Sequence, residues 1–222
     1  MHLRKSKRIL IYFFLLIIVG SLNNYKLKEF NLNKINKINI SGLNASENSN
    51  FMKELKSLDL NNIFFLDTAG INKLLYENSV IENYKIIRIY PSTLDFQIEK
   101  TDFLAQMKKN EKTFLIGSNG KLTEYNLINH KLPYIFGKFE IEYFLKLKKI
   151  LDNSKFSFNE IKSLYFFPSK RWDIELKNNI LLKLPKDNLN DAISYAAEFL
   201  NLEHSVKKKI IDLRVKNQII TK

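Results

Sequence analysis

The sequence predicts an α+β fold: a single N-terminal transmembrane helix, a unit ordered strand-helix-helix-strand-strand, and then a mixed β-rich unit with helices. Three observations lead there. A charge-free run, Ile9 to Leu22, follows a basic N-terminus. Within Val80 to Lys100, Leu94, Phe96 and Ile98 alternate with Asp95, Gln97 and Glu99, the period of two that turns one strand face to a core and the other to water. From Asp102 onward the pattern changes to short alternating runs interrupted by amphipathic helices.

The apolar run ILIYFFLLIIVGSL lies behind Arg4, Lys5, Lys7 and Arg8, which hold the N-terminus in the cytoplasm by the positive-inside bias. Everything after it is then outside. The run is short of the roughly 20 residues that cross a bilayer unaided, and its length is also what a signal peptide shows. Val19 and Ser21 could occupy recognition positions for cleavage, but bulky Leu22 and Tyr25 follow. Arg8 and Lys26 can snorkel and Tyr25 suits the interface, so the run reads as an uncleaved anchor over 9–25 behind a cytoplasmic tail, 1–8.

Residues 26–34 belong to a polar, Asn-rich stretch without a stable apolar period and read as a linker. The first folded unit spans 35–101. Ile38 and Ile40 alternate with Asn39 and Ser41 up to Gly42, a first strand, and Phe51, Leu55 and Leu58 then recur at helical spacing. Asn61-Asn62 breaks that helix and Phe64 to Asp67 forms a short apolar connector. Thr68 serves as N-cap to a second helix marked by Ile71, Leu74 and Leu75. In the hairpin that follows, Pro91 belongs at the Tyr-Pro-Ser-Thr corner, because proline lacks an N–H and fixes its own φ. The expected core is Ile38, Ile40, Leu55, Leu74, Leu94, Phe96 and Ile98.

The second unit, 102–222, continues directly from the hairpin. Asn119-Gly120 is a two-residue hairpin signal in which both turn positions want positive φ. A helix from Phe139 to Leu151 carries Tyr143, Leu147, Ile150 and Leu151 on one stripe. Leu164 and Phe166, then Trp172, Ile174 and Leu176, read as strands, and Asn178-Asn179 turns the chain into Ile180 to Leu184. Leu189, Ile193, Ala196 and Leu200 mark another amphipathic helix. Ile211, Leu213 and Val215 alternate with Asp212 and Arg214 in a strand, and Asn217 leads to a last Ile219-Ile220 pair.

The chemistry of catalysis is missing. There is no HExxH, GxSxG, P-loop or GxGxxG. His2, His130 and His204 are isolated, and Glu140 with Glu142 on a Lys-rich helical segment read as solvated face residues rather than an acid–base pair. Trp172 in an alternating run reads as core. The sequons at Asn39 and Asn44 are expected by chance where Asn is this common. No catalytic residue, cofactor or metal is expected. The absence of Cys removes disulfides and thiolate metal sites and is neutral on compartment. The net charge of +13 comes from lysines interleaved with acids along every segment, in a composition jointly rich in Lys, Asn and Ile, so it does not imply nucleic acid. Two basic clusters stand out: the one before the anchor, and Lys207 to Lys209.

Several segments together resemble the FtsQ/DivIB family of bacterial cell-division proteins. Ile38 to Leu43 (INISGL) is similar to the family's opening strand and its Gly. Val80, Ile86, Arg88, Tyr90, Pro91, Thr93, Leu94, Ile98, Glu99 and Ala105 resemble its V…V-x-R-x-W-P-x-T-L…V-E-R…A hairpin pattern. Leu132-Pro133 with Gly137, Trp172 with Asn178-Asn179, and Ile211 to Arg214 (IDLR) resemble its later L-P…G, W…L-x-N-G and V-D-L-R segments. Tyr90 stands where Trp is usual, Lys100 where Arg is, Ser79 where Pro often sits, and Asn179 and Pro185 replace glycines.

The resemblance implies that the first unit is a POTRA domain and that the chain crosses the inner membrane once, with its bulk in the periplasm at the division septum. It implies a scaffold without chemistry that recruits FtsB- and FtsL-type bitopic partners. It places the partner-binding strand at Val215, Lys216, Asn217, Gln218, Ile219 and Ile220, after Asp212-Leu213-Arg214. A terminal strand there is expected to be a sheet edge to which a partner segment can add. The rival reading is another POTRA-bearing periplasmic assembly or protein-transport component. An outer-membrane barrel would need many alternating strands of roughly ten residues, which the chain does not show.

Overall fold

The computed structural model of the chain describes residues 3–22, 34–58, 60, 63–64, 66–125, 131–201, 209–216 and 218–222. Most of the expected linker, the Asn61-Asn62 break, the three histidines, Lys207, Lys208 and Asn217 lie outside the described residues. By contacts the chain forms two compact units, Met1–Glu77 with Tyr84–Glu99, and Asn78–Asn83 with Lys100–Lys222.

The N-terminal run forms helix α1 (Leu3–Leu22), and its apolar side chains from Ile9 to Val19 are exposed. Among the described residues no helix is long and apolar enough to cross a membrane. The cause is arithmetic: four of the first six residues of α1 are basic, and the uncharged remainder from Ile9 covers about 21 Å at 1.5 Å per residue. A bilayer's hydrocarbon core is about 30 Å thick. Residues 23–25 of the expected span lie outside the described residues.

The first unit has the expected order: β1 (Lys37–Ser41), α2 (Ala45–Lys56), α3 (Thr68–Glu77), β2 (Ile81–Ile89) and β3 (Thr93–Lys100). The sheet runs β1-β3-β2, with β1 parallel to β3 from Lys37↔Thr93 to Ser41↔Gln97. Leu94, Phe96 and Ile98 are buried on one face, and Phe51 from α2 meets Phe96 edge to face at 5.7 Å. Leu55, Ile71 and Leu75 complete that layer. Ile38, Ile40 and Leu74, expected in the core, are only half-buried. Instead Ile63, just ahead of the apolar connector, and Leu66 within it are buried.

Two caps differ from expectation or go beyond it. Asn44 accepts from the Glu47 N–H while the Glu47 carboxylate accepts from the Asn44 N–H, a capping box that starts α2 and that the sequence reading did not anticipate. Asp67, not Thr68, caps α3: its carboxylate accepts from the N–H groups of Ala69 and Gly70, at 3.0 and 3.2 Å. The carboxylate carries full charge toward the helix's positive end, which a hydroxyl does not. Gly42, at φ +96°, lies so close to β3 that a Cβ would fall 1.7 Å from the Ile98 carbonyl oxygen.

The second unit is built on a nine-stranded sheet ordered β12-β11-β10-β9-β8-β7-β4-β5-β6. Its strands are β4 (Phe103–Lys109), β5 (Lys112–Gly117), β6 (Leu122–Glu124), β7 (Tyr134–Phe136), β8 (Ile161–Phe166), β9 (Trp172–Leu176), β10 (Leu181–Lys183), β11 (Ile210–Asp212) and β12 (Ile220–Thr221). Helices α4 (Ile141–Asp152) and α5 (Leu189–Leu200) contribute Phe144, Leu147, Leu151, Ile193 and Ala196 to the same core as Ile135, Leu164, Ile174, Leu182 and Ile211. Those five sheet residues are register partners or neighbours on one face, so one face of the sheet is buried and the other is more open.

The Asn119-Gly120 turn is not the two-residue type. Gly120 has φ +74°, whereas Asn119 is not among the positive-φ residues. Gly117 N–H donates to Lys121 carbonyl and Gly120 N–H to Gly117 carbonyl, a three-residue loop closed by a left-handed glycine. Asn119 is held in that shape by its side chain, which donates to the carbonyls of Ser79 and Ile81. The tight turn with two left-handed residues is instead Asn110-Glu111, between β4 and β5.

Candidate partner-binding edge

The C-terminal segment departs from the strand expected over Val215 to Ile220. Strand β11 ends at Asp212, because its carboxylate accepts the Arg214 N–H at 3.1 Å and receives the Arg214 guanidinium, closing a local turn. Leu213 still donates to the Lys183 carbonyl and is buried, but Val215 and Lys216 then bend away and Gln218 N–H returns to the Val215 carbonyl. Of the expected residues that are described, Ile220 alone is in a strand, and Asn217 lies outside the described residues; β12 consists of Ile220 and Thr221.

That strand pairs antiparallel with β11, Asp212↔Ile220 and Ile211↔Thr221, and among the described residues it is the outer strand of the sheet. Ile210 and Lys222 exchange both backbone hydrogen bonds, at 3.0 and 3.1 Å. Ile211 and Thr221 therefore form the alternate, non-bonded pair, and the Thr221 N–H and C=O point away from β11 toward the open side. Val215, Ile219 and Ile220 are 45%, 37% and 44% exposed.

Val215, Lys216 and Gln218 also line a cleft of about 450 Å³, together with Arg171, Lys186 and Tyr195. Its lining carries four basic residues, Arg171, Lys186, Arg214 and Lys216, against the carboxylates of Asp187 and Asp191.

Charges beside the edge are laid out by register. Asp173, Lys183 and Asp212 occupy one row across β9, β10 and β11, ending at Ile220. Bonding to Arg214 holds the Asp212 carboxyl below the usual carboxylate range. Burial pushes the Asp173 carboxyl up, against the opposing pull of Arg171, Lys183 and Arg214. Asp173 Oδ1 and Arg171 Nε are buried, stand 3.6 Å apart and share no hydrogen bond. On β8 and β9, bonds from Lys162 and Tyr165 lower the Glu175 carboxyl, while burial first and Glu175 second raise the Tyr165 phenol.

Elsewhere the described side chains singled out for chemistry, Glu140, Glu142 and Trp172, sit as solvated or core groups. Glu140 and Glu142 are exposed at the start of α4, and Trp172 is buried against Phe166 and Phe139. Among the described residues no three acidic or histidine side chains cluster to hold a metal.

Residues 33–100 match the family model described as POTRA domain, FtsQ-type, and residues 105–214 match that of Cell division protein FtsQ/DivIB, C-terminal. The edge residues 215–221 follow the second match. Cell division protein FtsQ of Rickettsia bellii (strain RML369-C) is 28% identical over 189 residues, which cover 83% of this chain and 70% of the relative. The FtsQ of Agrobacterium fabrum (strain C58) is 25% identical over 190 residues, covering 82% and 58%. The major extracytoplasmic domain of DivIB from Geobacillus stearothermophilus aligns with 13% identity and a TM-score of 0.34, over 46% of this chain and 98% of that one.

Proposed function

Because the chain belongs to the FtsQ/DivIB family of bacterial cell division proteins, we propose that it is a non-enzymatic, membrane-anchored scaffold of the division machinery that holds FtsB- and FtsL-type bitopic partners at the septum. In this reading 1–8 stays in the cytoplasm, 9–25 spans the inner membrane, 26–34 links, and a POTRA domain (35–101) and a β domain (102–222) lie in the periplasm. The basic residues before Ile9 support that orientation, and snorkelling of Arg8 and Lys26 extends the reach of a short span.

The observation that carries the scaffold reading is the outward-directed backbone of Thr221 on the last strand of the sheet. An extended partner segment can add there by main-chain hydrogen bonds. The adjoining cleft, with its excess of basic residues, favours a segment that carries acidic side chains. Val215, Lys216, Asn217, Gln218, Ile219 and Ile220 then flank the added strand.

The test is capture of a purified FtsB-type partner by the detergent-solubilised chain. Thr221→Pro removes the outward N–H without touching a donor to β11 and should weaken capture by about 2- to 13-fold, the equivalent of roughly 0.5–1.5 kcal/mol for one hydrogen bond. Thr221→Val should bind as the parent does. Full-strength capture by a folded Thr221→Pro chain would move the site away from this edge.

A further inference from the structure

We propose that the corner between β2 and β3, with the connector that packs on it, is a lipid-contacting tip that rests the first unit on the anionic membrane surface; this rests on the reading of α1 as a membrane anchor. Phe64 and Tyr90 stack at 5.1 Å and 28° yet remain 49% and 56% exposed, and Ile89 beside them is 47% exposed. Three large apolar side chains bared together on one tip mark a contact surface rather than scattered surface hydrophobics.

The occupant follows from where the chain enters. Asn36 and Lys37 both donate backbone N–H groups to the Ser92 carbonyl, at 2.9 and 3.3 Å, so β1 begins against the same corner. Between Leu22 and Lys34 there are eleven residues, which at full extension reach at most about 40 Å. The corner is therefore at the tethered end of the unit. Lys34, Lys37 and Arg88 are exposed around it. The acid within three positions of either ring, Asp67, is turned to the N–H groups of Ala69 and Gly70. An exposed aromatic pair with exposed Lys34, Lys37 and Arg88 on the chain segments that meet at its corner, at the tethered end, has the composition that partitions into the headgroup region of an anionic bilayer.

The chain has no cysteine, so one introduced thiol can be labelled uniquely. The full chain is reconstituted into vesicles of phosphatidylethanolamine and phosphatidylglycerol, carrying an environment-sensitive fluorophore on Ser92→Cys at the corner or on Tyr76→Cys near the far end of α3. Brominated phosphatidylcholine serves as quencher. The corner label should shift to the blue and lose most of its emission to the brominated lipid, while the Tyr76→Cys label should do neither. Adding Phe64→Ser and Tyr90→Ser should abolish the effect, with the helical circular dichroism unchanged since both rings are surface groups. A corner label that behaves like the Tyr76→Cys label in a chain that still floats with the vesicles overturns the tip and leaves the anchor standing. A chain that does not float overturns both. A blue shift in detergent that grows with protein concentration and needs no lipid assigns the patch to self-association and overturns the lipid contact.

Discussion

Truncating Phe96 to Ala tests the register on which the first unit is built. Its ring is fully buried on the face shared by Leu94 and Ile98, and it meets Phe51 of α2 at 85°. Phe→Ala at such a site costs about 3–5 kcal/mol in lost transfer energy plus cavity. Of that, roughly 0.5–1.5 kcal/mol belongs to the edge-to-face pair. A loss of about 4 kcal/mol over an m-value of about 2 kcal/mol per molar lowers the urea midpoint by about 2 M. The assay is urea unfolding of residues 34–222, with amide exchange in β3 reporting the first unit and Trp172 emission the second. Gln97→Ala, on the exposed face of the same strand, should cost less than about 0.5 kcal/mol. A double-mutant cycle with Phe51→Ala should return a coupling of about 0.5–1.5 kcal/mol. If β3 exchange and its urea midpoint stay unmoved in Phe96→Ala, the inward face of β3 has been assigned to the wrong residues.

Gly42→Ala forces a Cβ into the Ile98 carbonyl at positive φ, so the β1–β3 pairing should be lost, read as fast amide exchange across Lys37 to Ser41. The two carboxylates near the edge should respond to pH with opposite sign. Asp212, depressed by Arg214, contributes stability above the ordinary value of 3.8 that disappears as pH falls through its lower folded value, so Asp212→Asn should cost stability at neutral pH and nothing in acid. Asp173, raised by burial, contributes stability only below 3.8 and loses it as pH rises through its folded value, so Asp173→Asn should raise the neutral-pH urea midpoint. In spheroplasts of a Gram-negative host, protease should digest everything beyond Lys34 and spare α1; protection of the β domain would reverse the proposed topology.

The order of elements was legible because it rests on local periodicity. The alternation of Leu94, Phe96 and Ile98, the stripe through Leu147 and Leu151, and the Asn178-Asn179 turn all act within a few residues, and α4 lies within about two residues of its expected place, whereas α2 begins at Ala45, ahead of its first expected marker Phe51, and the short strands β4 and β7 had no expectation of their own. What the pattern could not supply was competition between side chains. Asp67 beside Thr68 both suit a cap, and the helix end took the charged one; Asn119 beside Gly120 suits a mirror-image turn, but its amide is engaged by Ser79 and Ile81, distant in sequence.

The edge shows the division most clearly. Sequence alone places strand-forming residues near the C-terminus, since Ile211, Leu213 and Val215 alternate as a strand should. Whether that alternation continues is decided by Arg214 folding back on Asp212, which ends β11, and by the exchange between Ile210 and Lys222, which sets β12 on it. A strand's identity is a local property of its side chains. Which of its backbone groups remain open to a partner depends on the register it takes with a neighbour, and register exists only once the sheet has assembled.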